Sequence, residues 1–177
     1  MDRFAAHVIL VSGTPGSGKT TTAEMLARRP GLPKVHLHTD DFWGYIKHGH
    51  IDPWLPEAAA QNAMIMDISA ATARLYARGG YLVALDGVIG PWSLAPYRAL
   101  DVPVHYLLLR VPVEEAIARC QARGGDSLAD PAVVAEIHAM FADLGDYQHH
   151  VIDAGGLDRD ATLAAVIAAL ETGAYRL

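Results

Sequence analysis

Short, unbroken apolar runs alternate with stretches of helical periodicity along this chain. His7–Ser12 is apolar through its centre and stops at Gly13, which predicts a strand buried on both faces, as in a parallel sheet. Lys19–Arg29 follows as a helix, stopped by Pro30 and Gly31. Lys34–Thr39 reads as a second strand. Pro56–Arg78 reads as a long helix with Glu57 in its first turn and Gly79 and Gly80 at its end. Tyr81–Leu85 and Val104–Leu109 are the third and fourth strands, and Val113–Ala122 is the helix after the fourth. Asp130 and Pro131 start a helix predicted to run to Leu144, by cap chemistry and by a preset φ. His149–Ile152 is a short fifth strand and Arg159–Leu170 the closing helix. Strands separated by helices imply right-handed crossovers. The expected fold is α/β, a parallel sheet with helices on both faces, in a single domain over residues 1–177 without repeat or linker.

In such a sheet, ligands bind beyond the carboxyl ends of the strands. The residues just after each strand therefore carry the chemistry: Gly13–Thr20, Asp40 and Asp41, Asp86–Trp92, Arg110 and Asp153–Leu157. The first of these is Gly13-Thr14-Pro15-Gly16-Ser17-Gly18-Lys19-Thr20, the G-x-x-x-x-G-K-T phosphate loop, between a predicted strand and a predicted helix, with Thr21 next along that helix. Its glycines let backbone N–H groups turn inward around phosphate oxygens, and the helix start adds the positive end of a dipole. Lys19 reaches the β- and γ-phosphates, and the Thr20 hydroxyl ligates Mg²⁺. The chain holds only three lysines, so Lys19 is not drawn from a large pool.

Composition narrows the picture further. At 51% hydrophobic and 19% charged over 177 residues, the chain has the makeup of a folded protein rather than a disordered one. A net charge of −6 argues against a non-specific nucleic-acid binder. No stretch reaches the ~20 apolar residues of a membrane span, and His7–Val11 is too short for a signal peptide. Cys120 is alone, so no internal disulfide forms. The expectation is a cytoplasmic protein, monomer or homodimer, with neither nucleic acid nor membrane as partner.

Two further segments join the loop. Asp40-Asp41-Phe42 follows the second strand, where a carboxylate can accept the proton of a hydroxyl undergoing phosphoryl transfer; the plain alternative is an Asp pair capping a turn. Tyr81–Asp86 is an apolar strand ending in a carboxylate, the Walker B pattern that holds Mg²⁺ through water; a strand-end turn is the alternative.

With these motifs the chain resembles the small P-loop kinases of the nucleoside, nucleotide and metabolite group, most nearly the gluconate-kinase-like and chloramphenicol-phosphotransferase-like proteins. The resemblance runs over nearly the whole chain. It implies a P-loop fold with a five-stranded parallel sheet of order 2-3-1-4-5, a mobile lid, and ATP as phosphoryl donor. The Asp40-Asp41-Phe42 run is similar to a segment of uridine and riboside kinases whose first Asp is the base, which assigns that role to Asp40. Asp41 then orients substrate or holds a Mg²⁺ water. Arg119-Cys-Gln-Ala-Arg123-Gly-Gly resembles the lid, here about 119–131, whose arginines cover the ATP phosphates; a solvated basic helix end explains the pair equally well. Asp153–Leu157, with Gly155, matches the loop beside adenine, and a plain loop again serves as well. One departure stands out. Where adenylate-kinase-like enzymes follow Leu-Asp-Gly with an arginine for the acceptor phosphate, this chain has Val88-Ile-Gly-Pro-Trp92.

The mixed aromatic and cationic loop at about 42–56 is the expected acceptor site, near Trp92, Asn62, Arg74 and Arg78. His36-x-His38 and His48-x-His50 lack further ligands at metal spacing. The function expected is transfer of the ATP γ-phosphate to a hydroxyl of a nucleoside, sugar acid or antibiotic. The first rival is a nucleoside monophosphate kinase such as a cytidylate kinase, with Arg74, Arg78 or Arg98 on the acceptor phosphate. The second, of another class, is a P-loop ATPase or nucleotide-binding module without an acceptor.

Overall fold

The computed structural model describes residues 2–123 and 128–177. Five strands, β1 (Val8–Gly13), β2 (Lys34–His38), β3 (Leu82–Gly87), β4 (Val104–Arg110) and β5 (Val151–Asp153), form one parallel sheet in the order β2-β3-β1-β4-β5. This is the order expected. The helices are α1 (Lys19–Arg28), α2 (Thr39–Gly44), α3 (Ala59–Arg78), α4 (Ala95–Arg98), α5 (Val113–Arg123), α6 (Pro131–Met140) and α7 (Arg159–Thr172).

The unbroken apolar character of the inner strands follows from their cover on both faces. Ile9, Val11, Leu107 and Leu109 pack with Leu26 of α1, Ala116 and Cys120 of α5, and Val166 of α7. Their strand neighbours Val8, Leu10, Tyr106 and Leu108 face the other way, onto Ile65, Ala70 and Ala73 of α3 and Tyr97 of α4. Every residue of β1 and β3 is buried, and edge strand β2 is half-buried throughout.

Most boundaries shift by a residue or two from the sequence pattern, and the larger differences have local causes. The helix begun at Pro131 ends at Met140 rather than Leu144, and Arg110 donates to the Phe141 carbonyl at 3.0 Å just beyond it. The fifth strand starts at Val151, because His149 and His150 belong to a 3-10 turn held by a 2.8 Å hydrogen bond from His150 Nδ1 to the Tyr106 carbonyl. Short helices α2 and α4 lie where loops were expected. Among the described residues no helix is long and apolar enough to cross a membrane.

Candidate active site

The carboxyl ends of β1, β2 and β3 bring together three of the sequence segments. β1 delivers Gly13 into a turn that only glycine fits. Its φ is +148°, and a Cβ there would lie 2.5 Å from the Leu109 carbonyl and the Ser17 hydroxyl. Gly16, at φ +78°, sits so close to the backbone of Ala116 that a side chain would overlap it. Pro15 is half-buried, Thr14 and Ser17 are buried, and Gly18 caps α1. The hydroxyls of Thr14 and Ser17 have no hydrogen-bond partner among the described residues. Buried polar atoms in native proteins are nearly always satisfied. The two orphaned hydroxyls, the glycine turn and the start of α1 therefore fit an anionic group held in the loop. Lys19 is buried beside them, and among the described residues its Nζ donates only a 3.4 Å bond to the Thr14 carbonyl. Burial pushes its pKa down, against the pull of Asp40 and Asp86. Thr21 is exposed on the first turn of α1.

Asp86 is the fixed point of the site. Its carboxylate is fully buried at the end of β3 and accepts three hydrogen bonds. Thr20 Oγ1 donates to Oδ2 at 2.6 Å, His36 Nε2 to Oδ1 at 2.6 Å, and His38 Nδ1 to Oδ2 at 2.9 Å. Burial alone would raise its pKa. The bonds from His36 and His38 overcome that and hold the carboxyl well below the usual range. Thr20 and Asp86, both expected on Mg²⁺, are thus in contact. Hard oxygen donors of this kind suit that cation.

His38 also reaches Asp40. Its Nε2 lies 3.3 Å from Asp40 Oδ2, and the bonds to Asp40 and then Asp86 push the imidazole pKa up to about 10. Asp40 stands at the start of α2, where buried Thr39 packs directly on Gly87 and so seats α2 on the end of β3. Desolvation opposes the Asp40 charge, but His38 and Lys19 keep its carboxyl below the ordinary range. Asp41, one residue on, is exposed and shares no hydrogen bond with Thr20 or Asp86.

His36 and His38, weighed in the sequence only as metal ligands, are instead the ring partners of Asp86. The carboxylate that both rings share comes from another strand. β2 and β3 pair with His38 directly opposite Asp86, and residues two apart on a strand share a face. Two histidines at i and i+2 on a strand beside one ending in Asp are the signal that was available. Among the described residues no group of three or more His, Cys, Asp or Glu is arranged to hold a metal ion.

The arginines divide. Arg119, half-buried, donates to the Gly16 and Leu157 carbonyls, each at 3.4 Å, and pairs with Glu115. It therefore ties the phosphate loop to the loop after β5. Gly155 in that loop packs on Pro112, where a Cβ would sit 3.0 Å from the ring. Arg123 is exposed at the last residue of α5, and its charge reaches Lys19. The glycine-rich centre of the expected lid, 124–127, lies outside the described residues. Arg110, expected to face the cleft, holds the Phe141 carbonyl. Arg74 and Arg78 are not at the site. Helix α3 runs back toward the amino ends of the strands, and there both side chains pair with Asp101, Arg74 Nε at 2.9 Å from Oδ1. Arg98 donates to the Tyr147 hydroxyl at 2.9 Å.

The loop at 45–56 is tied to the opposite end of α3. Asn62 donates to the Pro53 carbonyl at 2.8 Å and accepts from Trp43 Nε1 at 3.3 Å, while Gln61 bonds Gly49 and Ile51. Trp43 is buried as an anchor, whereas Tyr45, Trp54 and Trp92 remain exposed. The Val88–Gly90 segment is held to β1 by Ser12, whose hydroxyl donates to the Ile89 carbonyl at 2.7 Å, and Tyr106 donates to the same oxygen.

With the phosphate loop and Asp86 so placed, residues 8–144 match the family described as AAA domain. The chain belongs to this AAA domain family. Cytidylate kinase of Pyrobaculum aerophilum is 34% identical over 133 residues, 70% of this chain and 64% of that protein, so the chain spans less than two thirds of that relative. The tunicamycin resistance protein of Deinococcus radiodurans superposes with a TM-score of 0.66 at 20% identity, over 92% of this chain and 94% of that one. The APS kinase of Mycobacterium tuberculosis, solved with AMPPNP and APS, gives 0.66 at 18% identity over 94% and 98%. The fold is that of the small P-loop kinases.

Proposed function

We propose that this member of the family is an ATP- and Mg²⁺-dependent phosphotransferase that moves the γ-phosphoryl group of ATP to a hydroxyl of a small molecule. The observation that carries the reading is the chain Thr20–Asp86–His38–Asp40, which sets a second carboxylate beside the phosphate loop. The loop amides and Lys19 bind the β- and γ-phosphate oxygens. Thr20 and Asp86 hold Mg²⁺, which supplies positive charge against the phosphate oxygens when bound. Asp40 orients the acceptor hydroxyl and takes its proton on a carboxylate oxygen. Arg119 and Arg123 neutralise charge on the phosphoryl group, and Gly155 leaves room beside the base. Residues 42–56 cover the acceptor and 119–131 act as the lid, with Asp41 orienting substrate or a metal-bound water.

A nucleoside monophosphate acceptor is the second reading, favoured by the match to cytidylate kinase. It needs cations on the acceptor phosphate. Arg74 and Arg78 are engaged by Asp101 and Arg98 by the Tyr147 hydroxyl, so the cations of the exposed loop would take that role: His48, with Lys47 released from the Gly44 carbonyl and His50 from Asp52. ADP release from Mg·ATP, screened over nucleosides, nucleoside monophosphates, sugar acids and chloramphenicol- or aminoglycoside-type antibiotics, tests both. One acceptor class should stimulate release and require Mg²⁺. Release that no acceptor stimulates would assign the chain to ATPases without a phosphoryl acceptor.

A further inference from the structure

Asp40 is an exposed carboxylate, with 69% of its side chain accessible, on a helix of six residues. A side chain so placed samples several rotamers unless something holds it. Its own segment offers little, a 3.5 Å contact from the Thr39 hydroxyl. Asp86, in contrast, is immobile: it is fully buried and accepts from three donors. One ring spans the two carboxylates. Nδ1 of His38 sits on Asp86 and Nε2 on Asp40, and the backbone of that ring is fixed by the pairing of β2 with β3. His36 takes the other Asp86 oxygen, which leaves the His38 ring free to bridge outward.

We propose that His38 is a positioning residue for the transfer step: it ties Asp40 to the fixed Asp86 and so sets the direction in which the Asp40 carboxylate meets the acceptor. The proposal rests on the reading of Asp40 as the base, and it adds a residue that neither the phosphate-loop motif nor the Asp pair contains. Its consequence is geometric. Misplacing a reacting group by about 1 Å costs on the order of a hundredfold in rate, so releasing Asp40 should act on turnover and spare ATP binding.

Two substitutions separate the ends of the bridge. The amide of asparagine overlays Nδ1 of histidine and that of glutamine overlays Nε2. His38→Asn therefore keeps the hydrogen bond to Asp86 and loses the 3.3 Å ion-pair contact with Asp40, while His38→Gln keeps an N–H facing Asp40 and gives up the hydrogen bond to Asp86. ADP release from Mg·ATP is read with water alone and with cytidylate and gluconate as probe acceptors. Affinity for a fluorescent ATP analogue is measured in the same preparations. His38→Asn should lower kcat by about ten- to a hundredfold, with the ATP analogue bound as in the wild type. His38→Gln, which gives up the anchor on Asp86, should also lower kcat, by less than His38→Asn because an N–H still faces Asp40. The His38→Asn, Asp40→Asn double variant should be no slower than Asp40→Asn alone, since both remove one function. In the nucleotide-free protein, urea denaturation of the wild type, His38→Asn, Asp40→Asn and the double variant should show the two sites coupled rather than additive. Unchanged kcat in His38→Asn, or multiplying effects in the double variant, would overturn the His38 role while the base assignment stood. If Asp40→Asn itself keeps full turnover, the hydroxyl-kinase reading falls first and this role falls with it.

Discussion

Replacing Asp86 by asparagine tests whether the buried carboxylate organises the site. Asparagine keeps the size and one acceptor but removes the charge. In the wild type, Thr20, His36 and His38 all donate to an ionised group with no exposure to solvent. Hydrogen bonds to a charged group contribute about 1.5–3 kcal/mol and neutral ones about 0.5–1.5, so each of the three weakens by about 1 kcal/mol. Asparagine also turns an N–H toward one of these donors, which adds to the cost. The expected loss is about 3 kcal/mol, and at ~2–4 °C per kcal/mol for a chain of this size the melting temperature falls by about 6–12 °C. The assay is urea and thermal denaturation of the nucleotide-free protein at pH 7 and pH 3. The Asp86 carboxyl titrates below its unfolded value of 3.8. Its contribution is therefore present above about pH 4 and is lost as pH falls further, so the gap between wild type and variant should narrow at pH 3. A loss under about 1 kcal/mol, or a gap equal at both pH values, would refute the reasoning.

His38 gives the opposite pH dependence. Its bonds to Asp40 and Asp86 raise it from 6.5 to about 10, so its contribution is full below about pH 6.5 and is lost as pH climbs toward 10. Urea midpoints of the wild type should decline over that window, and those of His38→Asn should decline less. Lys19→Met removes a buried charge held by a weak bond, so the variant should melt no lower than the wild type while ATP affinity falls by at least about tenfold, ~1.4 kcal/mol. Gly16→Ala forces a side chain into the Ala116 backbone at φ +78° and should cost about 1–3 kcal/mol along with ATP binding, both read by denaturation with and without Mg·ATP. EDTA should abolish ADP release and Mg²⁺ or Mn²⁺ should restore it, since Thr20 and Asp86 offer only hard oxygen ligands.

The parts of the site legible in sequence are those that local chemistry encodes. The phosphate loop needs its glycines at fixed offsets from one strand, and Asp86 is marked by the apolar run it ends. The strand order came through resemblance and not from periodicity. His36 and His38 were hidden because their partner lies 50 and 48 residues away and only the β2–β3 register brings it near. Arg74 and Arg78 share a helix face in sequence, but whether that face meets acceptor or Asp101 depends on which end of the sheet the helix end reaches. Helix α2 left no signal because it spans six residues and has no side-chain cap.

The most direct test of the hydroxyl-transfer reading compares Asp40→Asn with Asp41→Asn. Both are assayed for ATP affinity and for Mg²⁺-dependent ADP release with the best acceptor from the screen. Asp40→Asn keeps size and most hydrogen bonding but cannot accept a proton, so ATP affinity should stay near the wild-type value while turnover falls by about 10²–10⁴-fold. Asp41→Asn, exposed and outside the bridge through His38, should do less damage. Loss of turnover in Asp41→Asn alone would move the base by one residue, and wild-type turnover in both would contradict a hydroxyl kinase altogether.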